Sequence, residues 1–416
     1  MPRQKLGFTW AADFNILNTR EYKSVFYLNS NNNSGVNLLA LGELSRLESP
    51  TFDSLDVFQK QKKDWLFGYF AYDAKNQLEN LKSDNKSTHE VKDIDFVVPE
   101  IVIEWFGSKG QVHFYSDVTL KEDIKELLID LTRSNSETKE TTPVSFESRV
   151  SKEGYLKKVN ELKAEIQYGN IYEINFCQEF FAKQEIDPYL IYKKLNEISP
   201  TPYSCFGRLK NFYLMCASPE QYLQKTGNRI ISKPIKGTIK RSSEFQEDEL
   251  LKAKLFNSEK DKSENVMIVD LVRNDFSKCA EKGSVKVDEL FGVYSFPQVH
   301  QMISTVSARL KAGVSGVSAI KSSFPMGSMT GAPKIKAMEL IEKEEVFKRG
   351  LYSGSVGYFN PEGDFNFNVV IRSLFYSPEL TQLSFAIGGA ITDGSNALDE
   401  YEESLLKAKA IFEVFN

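Results

Sequence analysis

Glu400, Glu403 and Lys407 stand three and four residues apart in the segment EYEESLLK, so on a helix they project from one stripe. Glu264 lies three, four and seven residues before Met267, Ile268 and Leu271, which puts a carboxylate on the apolar side of its own helix. Brought together, three such carboxylates make an oxygen-rich site for a hard ion such as Mg²⁺, with an ammonium beside it to attract an anion. Taken singly, each has an ordinary explanation: a helix-rim carboxylate with its tip in water, or a solvated helix face. Periodicity alone does not bring the two helices together.

The elements that must carry these groups are legible in outline. Ser258 to Asp275 reads as one helix and about Leu398 to Phe415 as another, packing through Tyr401, Leu405, Ala408 and Phe412. A third helix starts at Ser151, with Tyr155, Val159, Leu162 and Ile166 at helical spacing and Gly169 where a helix stop belongs. From Ile171 to Phe176 the chain turns extended, placing Tyr172, Ile174 and Phe176 on one face and Glu173 and Asn175 on the other. Further strands are expected at Phe212–Met215, Arg229–Lys233, Gly354–Phe359, Phe367–Phe375 and Leu383–Ile387. Short apolar runs at Ser24–Leu28, Trp65–Tyr72 and Phe96–Trp105 predict a strand-rich N-terminal lobe over residues 1–135. The Ser- and Thr-rich stretch around 136–150 reads as a linker to a catalytic region over 151–416.

Composition excludes several classes of partner. A net charge of −5 gives no footprint for nucleic acid, and any anionic substrate must be held by a local cationic site. The N-terminus carries no signal-like apolar stretch and no run of 18 apolar residues follows, so a cytoplasmic protein that does not enter a membrane is expected. Cys177, Cys205, Cys216 and Cys279 form no CxxC pair and read as core residues. With His89, His113 and His300 the only histidines, a metal would have to be held by carboxylates.

Nine segments in order carry a resemblance. They are SPE at Ser218–Glu220, PIKGTIKR from Pro234, SENVMIVDLVRND from Ser263, VHQMISTV from Val299 and FPMGSMTGAPKIKAMELI from Phe324. RGLYSGSVGYF from Arg349, VVIRSLF from Val369, IGGAITDGS from Ile387 and EYEESLLKA from Glu400 complete the set. Together they resemble the chorismate-utilising enzymes, a family that includes the large subunits of anthranilate and aminodeoxychorismate synthases and the isochorismate synthases. The resemblance implies an α+β fold like that of anthranilate synthase component I: two large packed antiparallel sheets, helices outside, and the active site between them. In the N-terminal lobe it is weaker, and Tyr27-Leu28-Asn29-Ser30 matches the family's tryptophan-binding motif too loosely to imply feedback control.

Carried onto these positions, the resemblance makes Glu264 and Glu403 the Mg²⁺ carboxylates, with Glu400 in or next to the ligand set. Gly237, Thr238 and Lys407 would hold the ring carboxylate of chorismate. Arg372, Tyr352, Gly388 and Gly389 would hold its enolpyruvyl carboxylate, for which a planar guanidinium is well suited. Glu220 would protonate the leaving ring hydroxyl as a general acid. His300 would stand beside the ring in a catalytic role, although a lone strand histidine is more often a hydrogen-bonded core residue.

Two positions choose among the family's reactions. Isochorismate-forming relatives carry lysine where this chain has Glu173, and aminating relatives usually carry glutamine, so the role of Glu173 stays open. Lys236 fills a position that is alanine in anthranilate synthases. The expected reaction is therefore transfer of ammonia to ring carbon 4, giving 4-amino-4-deoxychorismate for 4-aminobenzoate and folate synthesis. Lys236 would act as a covalent nucleophile, neutral because burial or the metal lowers its pKa. The alternatives are amination at carbon 2 with loss of pyruvate, as in anthranilate synthase component I, and a non-catalytic relative that binds chorismate or a partner. With no cysteine in a nucleophile-elbow setting, ammonia is expected from a separate glutamine amidotransferase subunit.

Overall fold

Alternation within each strand, repeated through long antiparallel ladders, builds the molecule. The structure, a computed structural model, describes residues 3–9, 14–31, 35–133, 143–296 and 299–416; much of the expected linker at 136–150 lies outside them. The elements that matter begin with strands β1 (Ser24–Asn29), β2 (Asn37–Leu41) and β3 (Leu66–Phe70). Helix α1 (Lys152–Gln167) is followed by β4 (Glu173–Lys183), β5 (Tyr203–Leu209), β6 (Phe212–Ser218) and β7 (Ile235–Lys240). Then come α2 (Phe245–Phe256), α3 (Glu259–Cys279), β8 (Lys286–Ser295), β9 (Val299–Arg309) and α4 (Lys334–Glu344). Strands β10 (Ser355–Phe359), β11 (Ser373–Ser377) and β12 (Gln382–Ile391) and helix α5 (Ala397–Lys407) complete the set.

Among the described residues the strands form a twelve-stranded and a ten-stranded sheet. The first contains the run β2-β1-β5-β6-β11-β12-β4; in the second, β9 lies between β7 and the strands that lead to β10 and β3. Strand β1 pairs with β5, and β3 with β10. Strands from before and after 136–150 therefore share both sheets, and the division at that point is one of sequence rather than of packing.

The core sits between the sheets, where Phe26, Ala40 and Leu214 of the first meet Phe67, Phe70 and Val356 of the second. Burying each large side chain contributes about 1.5–3 kcal/mol. Helix α1 starts where Ser151 Oγ accepts from Gly154 N, and it lays Tyr155, Val159 and Leu162 against Ile174 and Phe176 of β4 and Leu340 and Ile341 of α4. Tyr172 departs from the expected alternation: it precedes the strand and is exposed. Helix α3 caps on Ser258 and presses Val269, Val272 and Phe276 into the core beside Val306 and Ala308 of β9.

The helix expected over 398–415 is two, α5 and Lys409–Val414. Ala408, at the break, is buried with Ile411 and Val414 against the first sheet, and the turn lets the second piece follow that surface. All four cysteines are buried and free, as expected. No helix among the described residues is long and apolar enough to cross a membrane.

Candidate active site

Strand β7 contains a bulge: opposite β9, Ile235 pairs with Ile303 and Thr238 with Gln301, leaving two residues, Lys236 and Gly237, against one. A bulge re-aims side chains, and this one directs Lys236 into a cavity of about 170 Å³ between the two sheets. Gly237 has φ +89°, and a Cβ there would come within 2.9 Å of the Asp261 carboxylate, so glycine is required on both counts. Glu220, Thr238, Tyr352, Arg372, Gly388, Gly389 and Lys407 line the same cavity, together with Glu264, Glu400 and Glu403. The segments that carried the resemblance thus converge on one place.

Acid chemistry is concentrated at Glu220, just past the end of β6. Burial pushes its carboxyl up to about 7, against the opposing pull of Ser328, the backbone amide of Ile235 and the nearby Lys236 and Arg372. A carboxyl near 7 keeps its proton in roughly half of the molecules at neutral pH and can give it away. Arg372, in left-handed backbone at φ +52°, immediately precedes β11. Burial lowers its pKa against the opposing pull of the Glu220 charge, and among the described residues its guanidinium has no hydrogen-bond or ion-pair partner. Such a group is poised for a carboxylate from outside the protein.

The opposite wall is acidic. Glu264, 7% exposed, is pushed up to about 7 by burial, and its Oε1 accepts no hydrogen bond. Glu400 Oε1 accepts from Ser395 Oγ at 2.7 Å and from Lys260 Nζ at 3.3 Å. Glu403 pairs with Lys407 at 2.9 Å, and Lys407 also donates to Gly388 O at 3.1 Å. A Cβ on Gly389 would lie 3.4 Å from Glu400 Oε2 and 3.5 Å from Lys407 Nζ, so a bare backbone floors this corner. The stripe expected from helical spacing is real, yet Glu400 faces inward and is 3% exposed rather than solvated. Among the described residues no three acidic, His or Cys side chains stand close enough to hold an ion as they are. The donor set is nevertheless all oxygen, and a buried carboxylate oxygen without a partner suits a hard cation.

Two expectations need correction. His300 does not line the cavity. It is fully buried on the other face of β9, with Nδ1 2.8 Å from Ser295 Oγ and Nε2 3.0 Å from Asp248 Oδ1, and it ties α2 to the β8–β9 hairpin. Strand alternation puts Gln301 in the cavity instead, with Oε1 buried and unpartnered. Burial does not by itself make Lys236 neutral. Burial would lower its pKa, but the carboxylates of Glu173, Glu264 and Glu220 outweigh burial and raise it. Its ammonium donates to Glu173 Oε1, while Glu173 Oε2 is buried without a partner.

Asn175, Lys260, Asp261 and Ser328, to which neither spacing nor the resemblance assigns a role, also line the cavity. Asn175 shares the polar face of β4 with Glu173, a signal that was available. Lys260 stands four residues before Glu264, the spacing of a helical ion pair, which was also readable.

With this geometry in place, comparison with known proteins is informative. Residues 28–413 match the model of a family described as chorismate binding enzyme. Aminodeoxychorismate synthase component 1 of Bacillus subtilis (strain 168) is 33% identical over 83% of this chain and 75% of its own length. Its Escherichia coli (strain K12) counterpart is 32% identical over 86% of this chain and 80% of its own length. The aminodeoxychorismate synthase of Streptomyces griseus is 40% identical over 66% of this chain, which spans only 38% of that longer protein. Among solved structures, anthranilate synthase component I from Streptococcus pneumoniae TIGR4 superposes with a TM-score of 0.78 at 24% identity, covering 99% of this chain and 93% of its own. The menaquinone-specific isochorismate synthase of Escherichia coli gives 0.81 at 17% identity, covering 100% and 95%. At those identities the likeness speaks for the fold, two antiparallel sheets with helices outside.

Proposed function

The chain belongs to the family of chorismate binding enzymes, and from that premise we propose that it aminates chorismate at ring carbon 4, giving 4-amino-4-deoxychorismate for 4-aminobenzoate and folate synthesis. The observation that carries this reading is Lys236, set on a bulge and aimed into the same cavity as the buried acid Glu220. The names of the bacterial relatives support it.

The substrate's enolpyruvyl carboxylate goes to Arg372, whose guanidinium is otherwise unpaired, with Tyr352 and the Gly388–Gly389 backbone beside it. Its ring carboxylate goes to Gly237, Thr238 and Lys407. Mg²⁺, held by Glu264, Glu403 and Glu400, would neutralise that carboxylate when bound. Lys236 rests as an ammonium, so the first event is transfer of its proton to Glu173. The amine nitrogen then bonds to ring carbon 2 as the hydroxyl at carbon 4 departs, taking the Glu220 proton to leave as water. Ammonia adds at carbon 4, the bond from carbon 2 to Lys236 breaks, the lysine recovers a proton from Glu173, and the new ammonium at carbon 4 gives a proton back to Glu220. Nitrogen replaces oxygen, and carbon 2 stays blocked against the anthranilate outcome. The component 1 names of relatives support a separate amidotransferase as the ammonia source.

Mass spectrometry of products from chorismate, Mg²⁺ and ammonium is the direct test. Aminodeoxychorismate is expected; anthranilate with pyruvate, or unchanged chorismate, would overturn the reading. Omitting ammonia should leave an adduct on the peptide that contains Lys236. If no adduct forms and Lys236→Ala aminates at an undiminished rate, the covalent step is wrong.

A further inference from the structure

Lys260 is one residue into α3, and its side chain reaches the acidic wall from the solvent side. Its Nζ lies 3.3 Å from Glu400 Oε1 and 4.0 Å from Glu264 Oε1, the oxygen that accepts no hydrogen bond. Half of the side chain is exposed, so a route outward lies open to it. Glu264 and Glu400 come from α3 and α5, helices about 140 residues apart in the chain, and the Lys260 ammonium is the cation between them. Glu403, the third carboxylate, is engaged by Lys407 instead.

An ammonium sits about 2.8 Å from the oxygens it serves, whereas Mg²⁺ demands ligands at about 2.0–2.1 Å in near-octahedral array. The same carboxylate oxygens cannot satisfy both, and two cations this close repel each other. Among the described residues, Lys260 contacts Glu400 and stands at 4.0 Å from Glu264, while Lys407 contacts Glu403.

We propose that Lys260 is a built-in competitor for the divalent ion, bridging Glu264 and Glu400 until the metal claims their oxygens and turns the lysine out to solvent. Lys260 is thus a positioning residue that sets how tightly the metal is held, and touches no reacting atom. It is the cation that contacts Glu400 and the second, after Lys236, to act on Glu264. The inference rests on the Mg²⁺ assignment made above and on no step of the amination.

The test is calorimetric titration of MgCl₂ into the full chain as wild type, Lys260→Gln and Lys260→Arg. Lys260→Gln, which removes the competing charge, should bind Mg²⁺ roughly tenfold more tightly, a gain kept modest by the exposure of the side chain. Lys260→Arg, which keeps the charge, should bind no more tightly than wild type. The rise in Tm on adding Mg²⁺ should be larger for Lys260→Gln than for wild type, a second readout free of turnover. Equal or weaker binding by Lys260→Gln, with wild type binding normally, overturns the competitor role alone. Mg²⁺ binding to none of the three overturns the metal assignment and the competitor with it.

Discussion

Arg349 is buried and Arg372 half-buried beside the cavity, and their surroundings are opposite. Arg349 forms a bidentate pair with Glu345 at 2.9 and 2.6 Å, donates to Met329 O at 2.7 Å and Asn175 O at 2.8 Å, and lies over the Tyr72 ring. Its charge is matched, and its pKa stands well above the ordinary value despite burial. Arg372 has no such set, and burial lowers its pKa. The region around Arg349 joins α4, β4 and the loop before β10, and its polar groups are spent on one another. The region around Arg372 leaves a costly group unspent. A buried charge that is fully satisfied serves the fold; one left wanting marks the place where a ligand completes the structure.

Exchanging the two arginines for neutral residues should separate those roles most sharply. Arg372→Ala is expected to lower kcat/KM for chorismate roughly 10²–10³-fold, since it removes the guanidinium proposed to hold a substrate carboxylate, with little change in Tm. Arg349→Leu should cost about 3–5 kcal/mol of stability by stranding Glu345, while folded molecules keep most of their turnover. A reversed pattern, with Tm falling for Arg372→Ala and only kcat/KM falling for Arg349→Leu, would break the comparison.

A smaller effect concerns pH. Glu220 and Glu264 are both pushed up to about 7 by burial, yet the first must be protonated and the second ionised. The profile of kcat/KM should therefore be a narrow bell near pH 7 at low Mg²⁺. Saturating Mg²⁺ favours the ionised form of Glu264 and should move only the ascending limb, toward lower pH. A descending limb that shifts with Mg²⁺ would show that Glu220 is not the acid.

The smallest effect tests the cost of an unspent charge directly. Ionised Glu264 is a burden to the folded state, because its folded pKa exceeds the ordinary value. Stability linked to its protonated form is full below about 4.5 and lost as pH rises through about 7. Glu264→Gln should therefore stabilise the protein by roughly 1–3 kcal/mol at pH 8 without Mg²⁺, and by almost nothing at about pH 4. Equal thermal denaturation midpoints at pH 8 would count against the comparison.

Much of the site was readable because its residues lie in short segments with distinctive order. Glu264 on an apolar helix face, and Glu400, Glu403 and Lys407 on one stripe, were visible by spacing. Their meeting was not, since α3 and α5 lie about 140 residues apart and no spacing rule links Lys260 to Glu400. His300 was misplaced for a local reason: in a strand, neighbours face opposite ways, and it is Gln301, opposite Thr238, that faces the cavity. The charge state of Lys236 escaped because it depends on Glu173, 63 residues earlier, and no spacing rule links them. Strand order was likewise out of reach, as pairings such as β1 with β5 join segments with an entire lobe between them.

One of those distant pairings governs how the protein must be made. Strand β4 runs antiparallel to β12 over ten residue pairs, with Ile174 opposite Ile391 and Lys183 opposite Gln382. At a synthesis rate of about 5–20 residues per second, β4 emerges about 10–40 s before its partner. Through that interval Ile174, Phe176 and Phe180 sit on a strand whose ladder is unmade, a template for the wrong partner. Gly388, Gly389, Glu400, Glu403 and Lys407 all arrive with or after β12, so a nascent chain carries Lys236 and Glu220 long before the floor and acidic wall that confine them. Assembly of the site and protection of its most adhesive strand are therefore the same late event, and the yield of active enzyme in a cell becomes a measure of how well that wait is chaperoned.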